Sequence, residues 1–132
     1  MNPESKKKID DIVGINLLTE KIIGCAFKVC NSLGAGFLEK VYENALAHEL
    51  EKSGLHVIQQ QNLTVWYDGI VVGDFAADLV VEEQILVELK SLKALNDSHM
   101  AQCINYLKAT KLKICLLINF GNSKMEFKRI IN

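Results

Sequence analysis

Residues 75–92 read Phe75-Ala76-Ala77-Asp78-Leu79-Val80-Val81-Glu82-Glu83-Gln84-Ile85-Leu86-Val87-Glu88-Leu89-Lys90-Ser91-Leu92, two apolar runs joined by a polar triplet. Both runs are rich in residues that suit a pleated, half-buried surface, and the triplet marks a turn. The pattern predicts two antiparallel strands. Alternation along the second places Leu86, Glu88, Lys90 and Leu92 on one face and Ile85, Val87, Leu89 and Ser91 on the other. If all three turn residues form the loop, Asp78 stands opposite Glu88 and on its face. A two-residue loop breaks that parity and needs a β-bulge to restore it.

Working outward, Val57–Tyr67 and Ile70–Val81 flank Asp68-Gly69, a strong hairpin signal. Upstream, Leu18, Ile22, Ala26, Val29 and Leu33 recur at helical spacing, so a helix is expected from Leu17. Gly34-Ala35-Gly36 stops it. A second helix is expected from Phe37 to Lys52, with an apolar arc of Leu38, Val41, Tyr42, Ala45, Leu46 and Leu50. Downstream, Asn96 or Ser98 caps a helix running to Thr110. Leu112–Phe120 is apolar almost throughout, hence a strand central in the sheet, and Lys124–Ile131 is a last strand at an edge. The order is α-α-β-β-β-α-β-β. It predicts an α/β (α+β) fold, a mixed sheet flanked by helices. Residues 1–16 are expected to be a polar, frayed lead-in, and residues 17–132 one domain.

Formal net charge is −1, so no global basic field steers nucleic acid. Arg129 is the sole arginine, which argues against tight, sequence-specific DNA binding through bidentate forks. A bound metal ion can still supply positive charge locally. No apolar run is long enough to cross a bilayer, and the lysines at the N-terminus precede no apolar stretch of a signal peptide. Cys25, Cys30, Cys103 and Cys115 form no C-x-x-C pair, so they are expected as buried free thiols in a reducing cytoplasm.

Charged residues inside apolar strands are the candidates for chemistry, because burial is costly unless they are paired or used. Asp78 and Glu88 on one face would attract a hard divalent cation, Mg²⁺ or Mn²⁺. Lys90 beside them would orient a water or stabilise developing charge. The bland alternative is a Glu–Lys ion pair. Glu39, in the first turn of the second helix, can face the sheet, although helix-dipole electrostatics alone would explain it. Glu49 reads as a partly buried structural acid. Gln102 and Tyr106 lie one turn apart and can point to the same end of the sheet. His99 is expected at the surface or in a cap.

These residues carry a resemblance. Gly36-Phe37-Leu38-Glu39-Lys40-Val41-Tyr42 reads G-x-x-E-x-x-Y. Together with Asp78, Val87-Glu88-Leu89-Lys90, Gln102 to Lys108 and Leu117 to Gly121, it resembles the GxxExxY protein family of the PD-(D/E)XK nuclease-like superfamily. The likeness covers Leu17 to Ile131. It implies a restriction-endonuclease-like core. It also implies that Glu39, Asp78 and Glu88 bind metal, that Lys90 is catalytic, and that Gln102 and Tyr106 support the site. Ala77 stands where the superfamily's name has proline. The function implied is metal-dependent hydrolysis of nucleic-acid phosphodiesters, with DNA ahead of RNA as partner. Two alternatives stay open. One is a non-catalytic module binding nucleic acid or protein. The other is an assembly role with the charges as a buried ion-pair network. The edge strand also offers a place for a second copy, a homodimer.

Overall fold

A computed structural model describes residues 2–131, with backbone alone for residues 7–10. Met1 and Asn132, the ends of the expected lead-in and domain, lie outside the described residues. The first helix, α1, spans Pro3–Leu33. It thus begins well before the expected Leu17. Asn2 caps it, its side chain accepting a hydrogen bond from the Ser5 N–H, and Pro3 opens the first turn with a suitable φ. The early turns lack an apolar stripe because they barely meet the core: Asp11 to Gly14 are exposed, while Ile15 and Leu18 pack against it. Helical periodicity reports packing, so it is silent where a helix stands free.

The second helix, α2, covers Glu39–Lys52 and starts two residues later than expected, because Leu38 is the extended N-cap. Five strands follow the expected order: β1 Val57–Tyr67, β2 Ile70–Val81, β3 Ile85–Lys90, β4 Ile114–Asn119 and β5 Glu126–Ile131, with α3 (Asp97–Thr110) between β3 and β4. The sheet order is β1-β2-β3-β4-β5. β3 and β4 are parallel, joined by the α3 crossover, and the other pairs are antiparallel. Every residue of β4 is buried, as its apolar run requires of an interior strand, and β5 forms one edge.

Two cores lie on the two faces of the sheet. α1 and α2 cover one face, with Ile22, Tyr42, Leu46 and Leu50 packed on Leu79, Val87 and Leu116. α3 covers the other, with Cys103 and Leu107 on Val80, Leu86 and Leu117. Cys25, Cys103 and Cys115 are buried free thiols, as expected. Cys30 is half-buried.

The β2–β3 turn uses all three residues, pairing Val81 with Ile85, Val80 with Leu86 and Leu79 with Val87. That register sets Asp78 against Glu88. Simple alternation does not survive at Asp78, however. Ala77 joins the α3-side core, while Leu79, two residues on, joins the opposite one. β1 changes face at the facing position, where Gln60 adopts a left-handed φ of 52° between Gln59↔Leu79 and Gln61↔Ala77. The two strands therefore switch faces together at Gln60 and Asp78, without loss of register.

Candidate active site

Asp78 sits where β2 changes face and where its ladder with β3 ends. Its Oδ2 accepts the Leu89 N–H at 2.8 Å, and its own N–H donates to Glu88 Oε1 at 3.2 Å. Side chains thus replace the ladder bonds that the strands no longer make, which keeps the backbone satisfied. Asp78 Oδ1 accepts from the Gln60 amide at 3.3 Å. Because of the face change, the Asp78 carboxylate also lines a cleft of about 490 Å³ with Phe37, Glu39, Glu43 and Ser91.

Glu88 lies on the α3 face, as alternation within β3 requires, and is only 5% exposed. Burial, and then the charge of Asp78, push its carboxyl up to about 8. Lys90 follows on the same strand, half-buried, and its charge opposes that rise only weakly. Among the described residues the ion pairs are Lys28–Glu49, Lys40–Glu43 and Lys52–Glu49. Lys90 pairs with neither carboxylate, so the cluster is not a buried ion-pair network.

The other predicted residues distribute around this centre. Glu39 is exposed at the cleft rim. Tyr106 is half-buried, and burial followed by the Glu88 charge raises its phenol above the usual range. Gln102 is half-buried one turn earlier and does not line the cleft. His99 caps α3, its Nδ1 accepting the Asn96 N–H at 3.1 Å. Glu49 is the partly buried acid expected, held by Lys28 and Lys52.

Two residues of the site escaped sequence reasoning. Glu43 is 4% exposed and takes hydrogen bonds from Lys40, Gln59 and Gln60. The Gln60 amide joins its carboxylate to that of Asp78. Glu43 stands one helical turn after Glu39 and beside buried Tyr42, and that spacing was the available signal. Gln60 gave none, because only the backbone break turns it toward the cleft.

Tyr42, the last residue of the G-x-x-E-x-x-Y stretch, is structural. Its hydroxyl donates to Gly34 O at 2.6 Å and accepts the Phe37 N–H at 3.2 Å. Its ring stacks on Phe120 at 4.6 Å. This fixes the loop before α2 and so sets where Glu39 and Glu43 enter the cleft. Ser91 ties the end of β3 to the same loop through Phe37 O at 2.8 Å.

The family model described as PD-(D/E)XK nuclease superfamily matches residues 16–130. This chain belongs to that superfamily. The crystal structure of SSO0001 is similar at a TM-score of 0.57 and 15% identity, over 70% of this chain and 49% of that one. That likeness is one of fold, and this chain spans about half the length of that protein. No curated protein matches.

A superfamily so named implies a divalent metal, and the donor set tests the fit. Among the described residues, no three His, Cys, Asp or Glu side chains gather into a metal-holding group. The expected set of Glu39, Asp78 and Glu88 is thus not assembled as three ligands. Asp78 and Glu88 are neighbours, and burial, then the Asp78 charge, raises the Glu88 carboxyl. Two carboxylates, with water and a substrate phosphate completing the shell, suit Mg²⁺. No described helix is long and apolar enough to cross a membrane.

Proposed function

We propose that this domain is a metal-dependent nuclease that hydrolyses a nucleic-acid phosphodiester. The observation that carries the reading is Glu88, a buried carboxyl next to Asp78 with no cationic side chain paired to it among the described residues. Such a pair favours a hard cation over two free charges. Asp78 and Glu88 would hold Mg²⁺ or Mn²⁺, and a bound ion supplies Lewis acidity toward a phosphoryl oxygen and its attacking water.

The remaining work falls to the chain's own residues. Lys90, unpaired on the same strand, orients the water or meets negative charge as it develops on the phosphate. Gln60 holds the Asp78 carboxylate in place through one amide hydrogen bond and anchors itself on Glu43 with another. Glu39 and Glu43 add negative charge to the cleft that Asp78 lines, with Tyr106 supporting from the α3 side and Gln102 one turn before it. DNA is the expected polymer ahead of RNA, the cytoplasm the expected setting, and the edge strand β5 the expected seat of any homodimer contact.

A second reading, a binding module without turnover, is favoured by one observation: among the described residues, no three acids gather into a metal-holding group. Binding of Mn²⁺ followed by electron paramagnetic resonance tests the first. The wild-type protein should bind the ion and Asp78→Asn should weaken binding at least about ten-fold. Indifference of both proteins to Mn²⁺ would leave the binding module as the better account.

A further inference from the structure

Away from the carboxylates, the β1–β2 hairpin runs on as an arm beyond the short strand β3. At its tip Trp66, Tyr67, Ile70, Val71 and Val72 are all exposed. The register slips between Val65 and Trp66, leaving Val72 as the extra residue on β2. Bulges of this kind re-aim side chains near functional sites. Here Trp66, 64% exposed, lines a cleft of about 740 Å³ between the arm and α3. Phe75, Asn105, Tyr106, Lys108 and Lys111 line it as well, and no acidic residue does. Phe75 and Tyr106 are already stacked on each other at 3.9 Å, so they form a rigid aromatic wall, while the Trp66 ring is free.

The charge distribution points the same way. Residues 85–132 hold eight of the 15 basic side chains and three of the 16 acidic ones, so the near-neutral whole hides a basic C-terminal stretch. α3 and the turn after it present Lys108 and Lys111, both exposed, to the cleft. Aromatic faces beside lysines suit a polyanion with flat, accessible rings. Paired bases bury their faces in the duplex stack and offer none to Trp66. Phe75 is three positions along β2 from Asp78, about 10 Å at the rise of a strand.

We infer that the cleft between the β1–β2 arm and α3 binds single-stranded nucleic acid, with Trp66 stacking on a base and Lys108 and Lys111 holding phosphates. The inference stands apart from the nuclease reading, since binding does not need cleavage.

Trp66 is the sole tryptophan, so its fluorescence reports the contact directly. The full chain in EDTA would be titrated with oligothymidine and oligouridine of about 12 nucleotides, and with a duplex of the same length. Single strands should quench the fluorescence, and the duplex should bind at least about ten-fold more weakly. Anisotropy of labelled strands should show roughly ten-fold weaker binding for Trp66→Ala, with Trp66→Phe restoring most of it. Lys108→Ala and Lys111→Ala should each lower the salt dependence by about 0.7 in log–log slope. Equal binding of duplex and single strand, or unchanged binding by Trp66→Ala, would overturn the inference. So would a dimer that Trp66→Ala abolishes, without oligonucleotide binding, since the cleft would then seat a second copy. Asp78→Asn separates the two claims. Binding by a wild-type protein that never cuts would sink the nuclease reading alone. Cleavage and single-strand binding both untouched by Trp66→Ala would sink the cleft alone.

Discussion

Glu88 shows how one residue's surroundings set its chemistry. Its carboxyl ordinarily titrates near 4.5 and here is pushed up to about 8, first by burial and then by Asp78. The folded state thus holds the proton more tightly than the unfolded chain. The stability this gives is complete below the ordinary value and is lost as pH rises through about 8. In EDTA the melting temperature should therefore fall from about pH 4.5 to about pH 8 and level off above it. Glu88→Gln, which cannot ionise, should flatten that fall and gain on the order of 2–4 kcal/mol at the alkaline end. A melting profile with the same slope in both proteins would contradict the burial argument. Lys90→Ala makes the complementary test. It should keep Mn²⁺ binding and lose about 100-fold or more in turnover, because its proposed role is toward the substrate. Loss of ion binding would contradict that role. Asp78, Glu88 and Lys90 were legible because charges are conspicuous in apolar strands. Glu43 and Gln60 were not: a helical glutamate and a strand glutamine look ordinary until the backbone turns them into a cleft.

Elements were read more completely than side-chain directions. Hydrophobic period and turn residues gave all eight elements in order, but left the β2–β3 loop at two residues or three, and the strands adopt the three-residue register. The joint face change at Gln60 and Asp78 was invisible, because a left-handed glutamine has no sequence signature. Likewise α1 extends back to Pro3, where capping and propensity hold a helix that no packing pattern announces. One glycine does have a signature that can be tested. A Cβ on Gly121 would lie 2.2 Å from the Leu92 backbone nitrogen, where the Asn119 side chain clamps the end of β3 to β4 through Leu92 N and O. Backbone has to move to make room. Gly121→Ala should therefore lose about 2–3 kcal/mol in urea unfolding, with cleavage falling as β3 shifts. Unchanged stability would mean the β3–β4 clamp is looser than it stands here.

For the whole molecule, the layout sets two faces against each other. α2 brings Glu39 and Glu43 to one side of the sheet, α3 covers Glu88 on the other, and Asp78 at the break is shared between them. A cation held by Asp78 and Glu88 would tie the halves together and so favour the folded chain. Mg²⁺ or Mn²⁺ at about 100 times its Kd should stabilise the wild-type protein by about 2.7 kcal/mol, and Asp78→Asn should not respond. Equal melting shifts in both proteins would place the ion elsewhere. Overall composition was a poor guide at this scale, since near-zero net charge concealed an acidic stretch over residues 1–84 and a basic one over residues 85–132.

Cleavage tests the central claim most directly. Labelled single- and double-stranded DNA and RNA would be incubated with the wild-type protein in Mg²⁺, Mn²⁺ or EDTA, beside Asp78→Asn and Glu88→Gln at the same concentration. We predict cleavage by the wild-type protein with either metal, none in EDTA, and none by the two variants. Cleavage that persists equally in the variants, or a wild-type protein that cuts nothing in the panel, would contradict the assignment of Asp78 and Glu88 as the centre of a nuclease site.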